Sequence, residues 1–273
     1  MSSSLQEDRN RLLQFFTGAK DREVSNRWDQ MWQKGDYLPF DRGQPNPALE
    51  DILSKQTAVI GDCYVGTGDA QRRKKALVPG MGRGYDVQLL ASFGYDAYGL
   101  EISAAAVERA KEEHAKSAGK YPIRDEAVGA GSVTFVCGDF FDDKWLRDLG
   151  IEHFEFIYDY TFLSALPPSL RPQWSHRMAS FLERQSGNLV CIEFPTYKDP
   201  ASGGPPWALP PKVYMEHLSH PGEEIEYGED GRIKDNPLRR ASANGLERVA
   251  HWQPERTHEI GRGTDWVSIW RHR

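Results

Sequence analysis

Between Lys74 and Glu193, short apolar runs alternate with stretches of helical periodicity, and this alternation restricts the fold more than any other feature of the chain. Strand-like runs fall at 75–79, 96–101, 132–137, 154–159 and 188–194, and helical patterns at 84–93, 103–118 and 167–184. Parallel neighbours need a crossover between them, usually a helix, so the pattern predicts an α/β fold with a mostly parallel sheet covered on both faces. The clearest helix, "SAAAVERAKEEHAKSAG", has Ser103 to cap its start and Gly119 to end it. Two more strand-like pieces in the tail 244–271, "LERVAHWQ" and "DWVSIWRHR", bring the predicted sheet to seven strands.

Upstream, 5–17 and 21–34 read as helices, the second with Trp28 and Trp32 at i and i+4 and hence on one face. "GDYLPFDRGQPNPALEDIL" is rich in turns and enters a short helix after Pro47, and 55–73 reads as an exposed loop. With 273 residues the chain fits one domain of ~250 residues plus an extension: 1–54 as a helical lid and 74–273 as the core. A net charge of −6 gives no general attraction to nucleic acid or to an anionic membrane, and "RRKK" at 72–75 reads as a solvated lead-in to a strand. Neither a secretory apolar segment nor a membrane-length one is present, and Cys63, Cys137 and Cys191 are too scattered for a disulfide framework. A cytoplasmic monomer is expected. His217 and His220 form an HxxH pair without a further ligand at metal-site spacing; they read as a surface pair, and no metal is expected.

The first strand of the series runs into a turn of alternating glycines, "ALVPGMGRGYD", with Gly80, Gly82 and Gly84. In a doubly wound sheet, ligands bind outside the carboxyl ends of the strands, beside the first strand–helix turn. Glycines there let the backbone approach a ligand and turn N–H groups toward it. Dinucleotides and S-adenosylmethionine (SAM) both use such a turn. Glu101, about 20 residues beyond Gly80 at the end of the next strand, can accept both hydroxyls of a ribose and suits either ligand. The glycines follow GxGxG, however, where a dinucleotide site has GxGxxG, and no evident Tyr-x-x-x-Lys of an oxidoreductase accompanies them. A third strand end, "VTFVCGDFFDD", separates the two ligands: Asp139 can accept from an adenine amino group while Phe140 and Phe141 pack the ring. The three strand ends together point to SAM, with S-adenosylhomocysteine as product.

Taken in order, "WDQMWQKGDYLPFDRGQPNPAL", "VPGMGRGYD", "GLEIS", "CGDFFD", "FIYDYTFLSALPP" and "IEFPTYKDPASGGPPWALP" resemble the thiopurine methyltransferase family over roughly residues 25–218 and the final strands. Within it, the likeness is greatest to plant and fungal halide/thiol methyltransferases, and it extends to the fungal enzymes that S-methylate the dithiol of gliotoxin. The resemblance implies a Rossmann-like class I methyltransferase in which Trp28, Trp32 and Phe40 help cover the cofactor. It implies Gly80, Gly82 and Gly84 at the cofactor's turn, Glu101 on the ribose, and Asp139 and Phe140 around the adenine. Ile102, Asp159 and Tyr160 are also implied as cofactor contacts. Tyr160 stands where the animal thiopurine enzymes have arginine, which favours the halide/thiol branch.

A thiol of pKa ~8.5 is already a few per cent ionised near neutrality, so S-methylation needs no strong base, and none is signalled. Asp86 and Tyr160 are the candidates for orienting or deprotonating a thiol, with Asp159 beside them; Asp86 equally suits a charge in the first turn of a helix. Trp28, Trp32 and Phe40 suit a sulfonium cation, the closing of a lid, or both. Tyr197 and Trp207 are candidate substrate-contacting aromatics, and Glu193 ends a strand on the same face. The expected function is S-methylation of a small thiol, a dithiol secondary metabolite of the gliotoxin type, in detoxification. The alternatives are a halide or thiocyanate methyltransferase and a non-catalytic SAM-binding protein.

Overall fold

A computed structural model describes residues 3–117 and 119–273, and the side chains of all of these but 3–6 and 22. The first two residues of the expected extension and Ala118, where the helix 103–118 was expected to end, lie outside the described residues. Ahead of the main sheet come α1 (Ser3–Phe16), α2 (Asp21–Lys34), α3 (Pro47–Lys55), α4 (Thr57–Ile60) and a ribbon of β1 (Tyr64–Val65) and β2 (Arg72–Arg73). The alternating region then gives β3 (Lys75–Pro79), α5 (Tyr85–Ser92), β4 (Asp96–Glu101), α6 (Ala104–Lys116), β5 (Val133–Cys137) and α7 (Lys144–Leu149). It continues with β6 (Phe156–Tyr160), α8 (Phe162–Ala165), α9 (Arg171–Phe181), β7 (Asn188–Glu193), α10 (Pro211–Ser219), β8 (Leu246–Trp252) and β9 (Trp266–His272).

Among the described residues the main sheet has seven strands in the order β5-β4-β3-β6-β7-β9-β8, parallel as far as β7 and antiparallel at β9 and β8. The sheet predicted from the alternation is therefore present. The order reverses between β3 and β6, so their carboxyl ends part and leave a crevice there. Because side chains alternate across a strand, neighbouring residues build two different cores. Val78, Tyr158, Val190 and Ile269 face α3 and α5, whereas Leu77, Ile157, Leu189 and Trp270 face α9 and α10. Leu12, Phe16, Val24 and Met31 of α1 and α2 form a third cluster of their own.

Several local expectations are corrected. The passage 55–73 carries α4 and the ribbon. "RRKK" is not simply solvated: Lys74 is buried with its Nζ donating to the Ile60 carbonyl (3.2 Å), and Arg72 pairs with buried Glu155. The predicted helix 167–184 begins as a single 3-10 turn, because Pro172 lacks the N–H that would bond the Pro168 carbonyl in an α turn, and the Arg171 N–H bonds it instead. His217 and His220 are buried, not on the surface; His217 Nε2 meets the Tyr227 hydroxyl at 2.8 Å, and His220 bonds carbonyls of Glu216 and Arg240. Among the described residues no helix is long and apolar enough to cross a membrane.

Candidate active site

The carboxyl ends of β3, β4, β5 and β6 open on a cleft of about 1490 Å³, counting the solvent at its mouth. Gly80 and Gly82 line it with positive φ of 59° and 56°, a backbone that residues with a Cβ rarely adopt. A Cβ on Gly80 would lie 2.6 Å from the Phe162 ring, and one on Gly82 3.3 Å from Trp32. The turn is thus bare because aromatic rings close on it. Gly84 differs. It precedes α5, and a Cβ there would strike Phe135 at 2.6 Å, away from the cleft wall. Its glycine answers to packing between helix and sheet, and it is not among the residues that line the cleft.

Glu101 is buried at the end of β4 and lines the cleft. One carboxylate oxygen accepts the N–H groups of Ile102 (2.9 Å) and Ser103 (3.3 Å), and the other accepts that of Gly82 (3.2 Å). Burial raises its pKa, against the pull of these three N–H donors. The side chain therefore fixes the glycine turn to the start of α6, and its remaining lone pairs are left for hydroxyl donors. Ile102 lines the cleft next to it. Asp139 and Phe140 line it from the end of β5. Asp139 accepts the Phe141 N–H (2.8 Å), and Phe140 stands edge-on to Phe141 and Phe162 with ring centroids 5.2 and 4.9 Å away.

The opposite wall comes from the extension. Trp28 and Trp32 lie on the same face of α2, and both pack edge-on against Phe40, at 5.3 and 5.5 Å. Three bonds fasten α2 and its flank across the cleft: Trp28 Nε1 to the Ala165 carbonyl (3.3 Å), Ser103 Oγ to Asp29 (2.6 Å) and Ser169 Oγ to Asp21 (2.8 Å).

Three acidic or phenolic groups expected in the site stand behind its wall instead. Asp86, in the first turn of α5, accepts the Asn46 N–H (2.9 Å), and desolvation of its carboxyl raises its pKa to about 6. It stands in the first helical turn, the structural role open to it from the sequence, and it also holds the loop before α3, which the sequence did not show. Asp159 is buried and accepts from Trp174 Nε1 (2.9 Å) and the Leu163 N–H (3.2 Å), tying β6 to α8 and α9; burial raises it to about 6. Tyr160 points its ring between His258 (5.6 Å) and Phe194 (6.2 Å), and burial raises its pKa. None of the three lines the cleft. The cause is the period of a strand end: Tyr160 and Asp159 leave β6 toward its two faces, and it is the next residue, Thr161, that turns into the opening.

Thr161 was not singled out from the sequence. It lines the cleft with φ of 69°, a strained backbone for a β-branched residue, at the point where β6 bends into α8. Arg42, beside Phe40, was also missed; it lines the cleft, and its one sequence signal is a position two residues beyond that aromatic. Tyr197 and Trp207, the candidate substrate-contacting aromatics, do not line the cleft. Tyr197 is exposed and accepts a bond from Arg9 (2.9 Å), and Trp207 lines a separate cavity with Arg171 and His217. Glu193 is fully buried away from the cleft, near His251 (3.4 Å), and desolvation raises it to about 7.

The residues present fit SAM: a Cβ-free turn closed by rings, a buried carboxylate beside it, and an acid with aromatic neighbours at the next strand end. Comparison with known proteins agrees. The probable thiol methyltransferase 2 of Arabidopsis thaliana is 30% identical over 94% of this chain and 95% of its own length. The thiocyanate methyltransferase 1 of Brassica oleracea is 29% identical over 83% of this chain and 84% of its own length. Among solved structures, the N-methyltransferase NodS of Bradyrhizobium japonicum WM9, bound to S-adenosylhomocysteine, shares the fold with a TM-score of 0.52 at 13% identity, covering 92% of this chain and 98% of that one. The family model for thiopurine S-methyltransferase matches residues 24–257. With that match running from within α2 through β8, the chain belongs to the thiopurine S-methyltransferase family and is a SAM-dependent methyltransferase of Rossmann-like fold.

Proposed function

We propose that this enzyme S-methylates a small-molecule thiol, with a dithiol secondary metabolite of the gliotoxin type as the preferred acceptor and detoxification as its role. The observation that carries the reading is the make-up of the cleft wall. Among the described residues it holds rings, prolines, hydroxyls, acids and arginines but no histidine, lysine or cysteine. Asp86, Asp159 and Tyr160 are engaged behind it. A wall whose titratable groups are carboxylates and arginines alone suits an acceptor that ionises by itself, as a thiol does. SAM, when bound, supplies a methyl group on a sulfonium for in-line displacement by a nucleophilic sulfur.

The chain's own residues position and exclude water. In this reading Glu101 holds the ribose, Asp139 and Phe140 bracket the adenine, and Gly80 and Gly82 admit the backbone to the ligand. Trp28, Trp32 and Phe40 form a lid whose ring faces favour a cation by about 0.5–2 kcal/mol each. Alignment of this kind is worth ~7–11 kcal/mol of a two-body reaction. A second reading, thiocyanate or halide methylation, is favoured by the 29% identity to a thiocyanate methyltransferase.

A screen with labelled SAM against dithiols, monothiols, thiocyanate and iodide tests both. Turnover at low thiol should rise with pH along the acceptor's own ionisation curve, and two thiols of different pKa should give two midpoints. A midpoint that stays fixed when the thiol changes assigns the proton to a protein base and overturns the reading.

A further inference from the structure

Two arginines line the cleft, and they are held differently. Arg9 of α1 is engaged, donating to Tyr197. Arg42 is half-buried in the loop between α2 and α3 and makes no hydrogen bond, ion pair or ring contact with any described residue. Its backbone is nevertheless fixed. The neighbouring Asp41 is spent on Arg83 and on the Gly43 N–H (3.0 Å), so the acid nearest in sequence is not available to it. A partly desolvated guanidinium without a counter-charge is costly, and such groups are normally paired.

The surroundings say what would pair with it. Phe40, Phe194 and Ile260 line the same cleft as Arg42, whose charge bears on Tyr160 and His258. Burial and then the Arg42 charge push His258 down to about 4, so that ring is neutral, and Tyr160 stays protonated. Beyond Tyr160, Asp265 and Asp86 are both raised by desolvation to about 6; Tyr197 and Arg9 face the same region, and Asp8 lines the cleft from α1. The cleft's carboxylates at the strand ends, Glu101 and Asp139, belong to β4 and β5. Arg42 thus puts a cation in a cleft wall built largely of apolar and aromatic groups, a setting for a soft, polarisable anion more than for a strongly hydrated one.

We propose that Arg42 is the specificity-determining residue for the acceptor: its free guanidinium receives the sulfur in anionic form, as a thiolate or as thiocyanate. The proposal rests on the S-methyltransferase reading, which is what makes the soft anion a sulfur one. It also gives the site a way to select the ionised fraction of a thiol without a base, because a cation beside the sulfur favours its charged state.

The test uses the full chain and the variants Arg42→Gln and Arg42→Lys, each checked for an unchanged melting temperature. Three quantities are measured: S-adenosylhomocysteine affinity by calorimetry, kcat/KM for a monothiol and for thiocyanate, and the absorbance titration of 4-nitrothiophenol bound to the S-adenosylhomocysteine complex. In Arg42→Gln, kcat/KM for both acceptors should fall about 10- to 100-fold, the loss of one charge-assisted contact, while S-adenosylhomocysteine binds as before. The bound thiol should titrate about one pH unit higher, a tenfold loss of preference for thiolate, and Arg42→Lys should recover part of both effects. An S-adenosylhomocysteine affinity that drops in Arg42→Gln, with the bound thiol's titration unmoved, gives the arginine to the cofactor's carboxylate and overturns the proposal. Equal acceptor kinetics in parent and variant overturn it as well, leaving the thiol reading intact. A parent enzyme that binds S-adenosylhomocysteine but uses and binds neither acceptor overturns the thiol reading itself.

Discussion

Glu101→Gln separates what the carboxylate does for the ligand from what it does for the fold. The substitution keeps the shape and one oxygen. That oxygen can stay on the Ile102 and Ser103 N–H groups, which leaves the new amide nitrogen facing the Gly82 N–H that the second carboxylate oxygen accepts at 3.2 Å. One backbone bond worth about 1 kcal/mol is then lost, and with it the charge-assisted bond from a ribose hydroxyl, about 1.5–3 kcal/mol. The Gly82 bond is lost with or without ligand, so affinity falls by the ribose bond alone, about 1.5–3 kcal/mol, roughly 10- to 150-fold in Kd for S-adenosylhomocysteine. The effect on stability runs the other way. The folded pKa of Glu101 is raised, so the protein is favoured with this group neutral; that contribution is present below the unfolded pKa and is lost as pH rises through the folded one. At neutral pH the glutamine removes a buried charge while losing one hydrogen bond, and the melting temperature of the ligand-free protein should move by no more than about 2 °C. Calorimetry with S-adenosylhomocysteine and a thermal melt measure the two quantities separately. An affinity within about threefold of the parent, with melting unchanged, would refute the ribose role and reduce Glu101 to a brace for the glycine turn.

Deleting residues 1–34 should abolish S-adenosylhomocysteine binding while the sheet still melts cooperatively, because α1 and α2 bury their own cluster apart from the two sheet cores; retained binding would remove the lid from the mechanism. Asp86→Asn and Tyr160→Phe should each lower kcat far less than the ~10²–10⁴-fold loss of a general base, since both groups lie behind the cleft wall. A loss of that full size in either variant, with melting intact, would restore it as a catalytic group. Glu193, raised to about 7 by burial, costs stability as pH climbs from its unfolded value toward 7, so Glu193→Gln should raise the melting temperature more at pH 8 than at pH 5. Equal shifts at the two pH values would place the charge elsewhere.

What could be read from the chain was whatever depends on neighbours in sequence. Strand and helix follow from local periodicity, and β3 through β7 lie within a residue or two of the runs that predicted them. The strand ends carrying Gly80, Gly82, Glu101 and Asp139 converge on one cleft because a parallel sheet brings every carboxyl end to the same edge, so placing the strands places these residues. Trp28 and Trp32 share a face for the similarly local reason that a helix repeats every 3.6 residues. Short elements escaped this reading: α7 and α8 span too few residues to display a period, and α10 starts among the prolines of a passage that looks like loop.

Side-chain direction at the edges of the cleft was settled by tertiary structure alone. Gly84 has the same sequence context as Gly80 and Gly82, yet only the packing of Phe135 shows that it serves the sheet. At the end of β6, Asp159, Tyr160 and Thr161 are consecutive, and a strand sends successive side chains to opposite faces. Their order does not say which enters the opening; Trp174 from α9 and His258 from the tail claim the first two, and Thr161 is left to line the cleft. Arg42 carries the same lesson. A charged residue in a turn-rich loop looks like ordinary surface; only the fold, which commits Asp41 to Arg83 of the glycine turn and sets Arg42 in one cleft wall with Phe40 and Phe194, shows it without a partner among the described residues. Those contacts join residues far apart in the chain, and their free energies depend on distances that no stretch of sequence contains.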